Sequence, residues 1–142
     1  MRILAVDYGQ RRVGIAVTDP TGVIATPLKV IDRKAGSWYP ELLQLFQDLG
    51  VGVVVVGLPR NMDGTLGRQA QYCQEFAETL GKDTSLKIEL VDERLTTAAA
   101  ASALRESGNK NHQTKTRLDA VAASLILQTY LGQQQTKQAG QE

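Results

Sequence analysis

Three acidic residues stand where solubility alone does not account for a carboxylate. Asp7 closes the apolar run Ile3-Leu4-Ala5-Val6 and is followed at once by a turn containing Gly9. Glu93 comes just after the run Leu86 to Val91, and Asp119 lies among Leu118, Ala120, Val121, Ala122 and Ala123. An ionised group in so apolar a helical stretch is costly unless something pairs with it or coordinates it. Three carboxylates from separate elements are the kind of set that holds one or two Mg²⁺ or Mn²⁺ ions, which favour oxygen donors. Two such ions about 4 Å apart can activate a water and stabilise the leaving oxygen of a phosphodiester. Each residue also has a plainer reading. Asp-x-Gly starts ordinary turns, Asp92-Glu93-Arg94 can be a charged turn, and Asp119 can pair with Lys115 one helical turn earlier, although that order of charges is the weaker one.

The elements that must carry these residues follow from periodicity. Residues 2–8 and 12–18 read as two strands joined by a tight turn. Residues 22–31 read as a third, with Pro27 marking an edge or a bulge. A helix is expected from Glu41 to Leu49, with Pro40 in its first turn and Gly50 as its left-handed cap. Val51 to Val56 is a β-branched run of the type buried on both faces of a sheet. A second helix is expected from about residue 66 to Leu80, closed by Gly81, then a fifth strand over 86–91. Thr96 or Thr97 can cap an Ala-rich helix that stops at Gly108. The polar linker Asn109 to Thr114 precedes a last helix, Lys115 to Leu131, that is apolar on nearly every side and so buried. The expected class is α/β: a five-stranded mixed sheet, a three-stranded antiparallel meander plus parallel strands, flanked by helices. In sheets of this kind, sites form beyond the carboxyl ends of the central strands.

The 142 residues suit one domain, read here as 1–132, with 133–142 a polar, Gln-rich tail expected to be disordered. Apolar residues make up 42% and charged residues 22%, a globular mix without a membrane span. No secretory pattern is visible, so the cytoplasm is the expected location. One cysteine and one histidine exclude an internal disulfide and a Cys/His zinc cluster, which leaves oxygen ligands for any metal. The net charge of +1 is too small to hold nucleic acid by bulk charge. Arg11, Arg12, Arg60, Arg68, Arg94, Lys110, Lys115 and Arg117 nevertheless fall in or beside turns and would rim the carboxylates if those turns converge.

Taken together, Asp7-x-Gly9-x-x-Arg12-x-Gly14-x-Ala16-x-x-Asp19, Gly57-Leu58-Pro59 with Gly64, Asp92-Glu93-Arg94-x-Thr96-Thr97, and Lys115 with Asp119-x-x-Ala122-Ala123 resemble the YqgF family of RNase H-like nucleases, also named RuvX. That family is similar to the RuvC-type Holliday junction resolvases, and the match runs to about residue 131. The resemblance implies an RNase H-like fold, divalent-metal hydrolysis of nucleic acid and a part in processing the 5′ end of the small-subunit ribosomal RNA precursor. By position it makes Asp7, Glu93 and Asp119 the catalytic metal ligands, with Arg12, Arg94 and Lys115 on phosphates. The loop from Gly57 through Asn61 to Gly64, entering a helix N-terminus, could offer N–H groups to a phosphate.

Other functions use the same residues differently. A resolvase for branched DNA would need a dimer to cut two strands symmetrically, and both monomer and homodimer are open. A non-catalytic RNA-binding assembly factor for the small-subunit precursor would use the site as a phosphate clamp. With aromatics at 5%, its recognition would rest on backbone contacts and shape. An actin- or sugar-kinase-like ATPase shares the Asp-x-Gly turn but closes two such domains around its nucleotide.

Overall fold

The computed structural model describes residues 1–93 and 112–140, with side chains in the last helix from 118 to 137. The elements run β1 (Arg2–Tyr8), β2 (Arg12–Thr18), β3 (Ala25–Asp32), α1 (Trp38–Leu49), β4 (Val51–Leu58), α2 (Arg68–Asp83), β5 (Lys87–Asp92) and α3 (His112–Gly140). The strands form one mixed sheet in the order β3-β2-β1-β4-β5. β1, β2 and β3 make the antiparallel meander, while β4 runs parallel to β1 and β5 parallel to β4. Pro27 meets both parts of its expectation. β3 is an edge strand, and the register with β2 shifts where Lys29 faces Ile15 but Pro27 faces Ala16.

Period-two alternation sorts the strand residues onto two faces. Leu4, Val6, Val13, Ile15, Val54 and Val56 face α1 and α2, packing with Leu42, Phe46, Phe76 and Leu80. Ala5, Ala16, Val53, Val55 and Val91 face α3, packing with Ala123, Ile126, Leu127 and Tyr130. The face under α3 is made of smaller side chains, so that helix comes close to the strand backbones. It packs chiefly on β2, β3 and β1. Gly50 caps α1 as expected, with φ +63° and its N–H donating to the carbonyls of Gln47 and Phe46.

Several boundaries differ from the sequence reading. α1 begins at Trp38, ahead of Pro40. α2 runs through Gly81 to Asp83, because Gly81 keeps a negative φ and packs beside Ile88 of β5. The helix is instead finished by Thr84, whose N–H and hydroxyl both donate to the Leu80 carbonyl. α3 starts at His112, inside the expected linker, and continues to Gly140 through the segment expected to be a disordered tail. Gln, Lys and Ala are good helix formers, and no proline intervenes to stop the run. α3 is not buried on every side. Asp119, Ala122, Ala123, Ile126, Leu127 and Tyr130 form one buried stripe at helical spacing, whereas Val121 and Leu125 are only partly covered. The Ala-rich helix expected after Thr96 lies, with all of residues 94–111, outside the described residues. No described helix is long and apolar enough to cross a membrane.

Leu127 is wholly buried on this stripe. Leu127→Ala should destabilise the fold by about 3 kcal/mol, the usual range for a leucine cavity that neighbours fill only in part. Urea unfolding followed by circular dichroism measures it; a loss below about 1 kcal/mol would mean that α3 is not packed as described.

Candidate active site

Asp7 points to the α3 face, as the alternation with Ala5 requires, and is buried at the carboxyl end of the central strand. Its two strand neighbours have no side chains. Gly14 of β2 lies directly opposite it, and Gly57 of β4 is one step beyond the Val6–Val56 pair. The gaps this leaves are filled from outside the sheet. A Cβ on Gly14 would stand 2.1 Å from the carbonyl oxygen of Asp119, so the backbone of α3 rests directly on the β2 backbone. A Cβ on Gly57 would stand 3.0 Å from Cδ of Glu93 and 2.6 Å from Ile126. The Glu93 carboxyl group therefore lies over Gly57. Its own N–H donates to the Leu58 carbonyl, which fixes where β5 releases it.

Asp119 is first in the buried stripe of α3, and its carboxylate is met by Arg12, with Nε 2.6 Å from Oδ2. Both side chains are largely buried, so the pair is charge-assisted and little screened. The ionised group in an apolar helix thus has Arg12 as a partner among the described side chains; the Lys115 side chain lies outside them. Arg12 can reach it because the turn before β2 is tight. The Gly9 N–H donates to the Arg12 carbonyl at 3.0 Å, and a Cβ on Gly9 would stand only 2.7 Å from that oxygen.

Asp7, Glu93 and Asp119 are thus brought to one end of the α3 face, all at or below 8% exposure. They do not close into a finished cage: among the described residues no three His, Cys, Asp or Glu side chains are gathered to hold a metal. One oxygen of Asp119 is directed to Arg12 instead. The donors available at this end are carboxylate oxygens, which suit a hard divalent cation in kind. Burial, then the nearby negative charges of Asp7 and Glu93, push the Cys73 thiol up to about 12.

The remaining candidates divide. Gly57 lies inside β4, paired with Val91, rather than at the head of a loop, and its contribution is the space occupied by Glu93. The loop beyond it is closed on itself. Asn61 N–H donates to the Thr65 carbonyl, Gly64 N–H to the Asn61 carbonyl, and Thr65 N–H to Asp63, while the Asn61 amide group donates to the Thr65 hydroxyl. Those N–H groups are already engaged, so Asn61 shapes the loop. Arg94 and the Lys115 side chain fall outside the described residues. Arg33, which sequence reading passed over, donates from Nη1 to the carbonyls of Gly9 and Gln10 and stacks 4.4 Å over the Tyr8 ring. Its signal was faint, because a basic residue in a polar loop has no local pattern to mark it.

A five-stranded sheet of this order, with acidic residues at the ends of its first and last strands and on a helix crossing one face, defines an RNase H-like fold. The structure of Thermus thermophilus RuvC in complex with a Holliday junction substrate superposes with a TM-score of 0.57, covering 95% of this chain and 96% of that one at 12% identity. The chain belongs to the RuvX family, whose model is described as Holliday junction resolvase and matches residues 1–133. Similar full-length relatives carry another description. A protein of Lachnospira eligens, 40% identical over 139 residues and covering 95% of this chain and 99% of its own, is called "Putative pre-16S rRNA nuclease". So is one from Chloroflexus aurantiacus, 45% identical over 130 residues, 91% of this chain and 85% of its own.

Two measurements test the site geometry. Gly14→Ala should lower stability by about 2 kcal/mol or more, since a methyl group would force α3 off the sheet; thermal unfolding unchanged from wild type would contradict the contact. The Cys73 thiol should resist alkylation by iodoacetamide at pH 8.5 until urea unfolds the protein. Its folded pKa is raised above the usual value near 9, so the stability it lends is full below that pH and declines as pH rises toward 12. Rapid labelling of the native protein would show that the thiol is not so enclosed.

Proposed function

We propose that this protein is a metal-dependent nuclease that hydrolyses phosphodiester bonds at the 5′ end of the small-subunit ribosomal RNA precursor. The observation that carries the reading is that Asp7, Glu93 and Asp119 are all buried at one end of the sheet, with the Glu93 carboxyl group over Gly57 and the Asp119 backbone on Gly14. The description of the relatives supports the choice of RNA. Asp7, Glu93 and Asp119 would hold one or two Mg²⁺ or Mn²⁺ ions, which when bound would supply an activated water and charge stabilisation for the leaving oxygen. Asp7 offers its carboxylate from the rigid central strand, and Glu93 is held over Gly57 by the close of β5. Arg12 neutralises Asp119 in the protein alone and stands within reach of a phosphate brought to that carboxylate. Arg94 and Lys115 complete the proposed phosphate contacts.

A second reading, cleavage of branched DNA, is favoured by the description of the family model. Symmetric cutting of a junction calls for two copies, so a dimeric solution mass together with junction cleavage would mark it.

The deciding experiment offers a precursor 16S RNA 5′ leader and a synthetic four-way DNA junction to the protein with Mn²⁺ or Mg²⁺. Wild type should cut the RNA, and Asp7→Asn should lose at least about a hundredfold in rate, as expected when a group stabilising transition-state charge is removed. Thermal unfolding provides a readout apart from cleavage: Mn²⁺ should raise the melting temperature of wild type and not of Asp7→Asn. RNA bound but never cut, with no cation effect on melting, would overturn the nuclease reading in favour of a non-catalytic assembly factor.

A further inference from the structure

On the opposite face of β1 from Asp7, three shallow pockets of about 280, 250 and 320 Å³ share walls around Tyr8 and Arg33. Five of the seven aromatic residues of the chain line the largest. The sequence reading took aromatics as too few for base stacking; their gathering at one place reverses that. Phe76 stacks on Tyr8 with ring centroids 4.1 Å apart and planes 8° apart, while the Arg33 guanidinium lies 4.4 Å over the same ring. Two groups that close to one ring must take opposite faces, so Phe76, Tyr8 and Arg33 form a prebuilt stack. Its outer member is the guanidinium, which borders both smaller pockets.

Two buried polar atoms of the pocket between Arg33 and Tyr72 have no hydrogen-bond partner among the described residues. They are the donor Nε of Arg33 and the acceptor Oε1 of Gln69. The Gln69 amide is held in place by its Nε2, which donates to the Tyr8 carbonyl at 2.8 Å. Tyr72, 43% exposed, offers a free ring at the rim. Arg11 and Lys34 line the neighbouring pocket on one side, and Glu75 is on the other. A ligand with phosphates would therefore keep them toward Arg11 and Lys34.

We infer that this groove binds an unpaired nucleotide of the RNA, its base stacked on the exposed Tyr72 ring. The base edge accepts from Arg33 Nε and donates to Gln69 Oε1, and its phosphate lies by Arg11 and Lys34. Every base presents an acceptor next to a donor on some edge, so the pocket selects single strands and not a sequence, as stacking sites do. The groove adjoins the carboxylates through one turn: Tyr8 follows Asp7, and Arg33 ties down the carbonyls of Gly9 and Gln10. It rests on the nuclease reading for the identity of the strand alone.

Trp38, the single tryptophan, is 5.2 Å from the Arg33 guanidinium and reports on the groove directly. A short fluorescein-labelled single-stranded RNA is titrated in EDTA, which suppresses cutting, and followed by anisotropy; the unlabelled strand is followed by Trp38 emission. The RNA should quench Trp38. Tyr72→Ala should weaken Kd about tenfold, within the usual value of one stacked base, Tyr72→Phe should restore it, both with melting at the wild-type temperature, and Gln69→Leu should weaken it. A blunt RNA duplex should leave Trp38 unquenched. Equal Kd for wild type, Tyr72→Ala and Gln69→Leu, or quenching by the duplex as strong as by the single strand, would overturn the proposal. Tyr72-dependent binding in a protein that never cuts RNA would keep the groove and remove the nuclease; cutting with Tyr72-independent binding would do the reverse.

Discussion

The contact of the last helix with Gly14 is the constraint on which the site depends. Because β2 carries no side chain there, the Asp119 backbone comes down onto the strand opposite Asp7, and Asp119 is buried with it. Such burial would be prohibitive for a lone charge, and Arg12, delivered by the tight Gly9 turn, offsets it. Gly57 plays the matching part on the other side of β1, where Glu93 occupies the vacated space. A central strand with a glycine on each side is thus what lets two further carboxylates approach a sheet otherwise packed with Val and Ile.

That arrangement separates two jobs on the two faces of one strand. Ala5 and Asp7 look toward α3, while Leu4, Val6 and Tyr8 look toward α1 and α2. The acidic end belongs to the first face and the aromatic and basic groove to the second, and they meet at the Gly9 turn. Arg33 braces that turn from the groove side and Arg12 from the acidic side. A shift in either would be felt by the other through a few backbone atoms.

Much of this was legible in the chain. Strand periodicity, the Gly50 cap and the misfit of Asp119 in an apolar helix are local signals, and each reports on one element. The mixed sheet and the edge position of β3 followed from them. What was not legible depends on distance between elements. Arg12, which pairs with Asp119, is 107 residues away, and no spacing rule finds it. Gly57 reads as the start of a phosphate loop in sequence, yet parallel pairing with β5 draws it into the strand. Gly81 reads as a stop, but a glycine in a helix can equally be a place where a strand needs room. The Gln-rich end reads as disordered because it lacks apolar periodicity, and periodicity says nothing about a helix extended by propensity from a well-anchored start.

The shift of register at Pro27 has a consequence for how copies of this protein can meet. A sheet edge normally offers a ladder of N–H and carbonyl groups to any passing strand. Here the outer strand lacks one donor at the proline, is bent by the extra residue beside it, and carries Lys29 tied to Glu41 of α1. Continuation of the sheet from one molecule into the next along β3 is thereby discouraged, so self-association through that side would have to use side chains rather than a shared sheet.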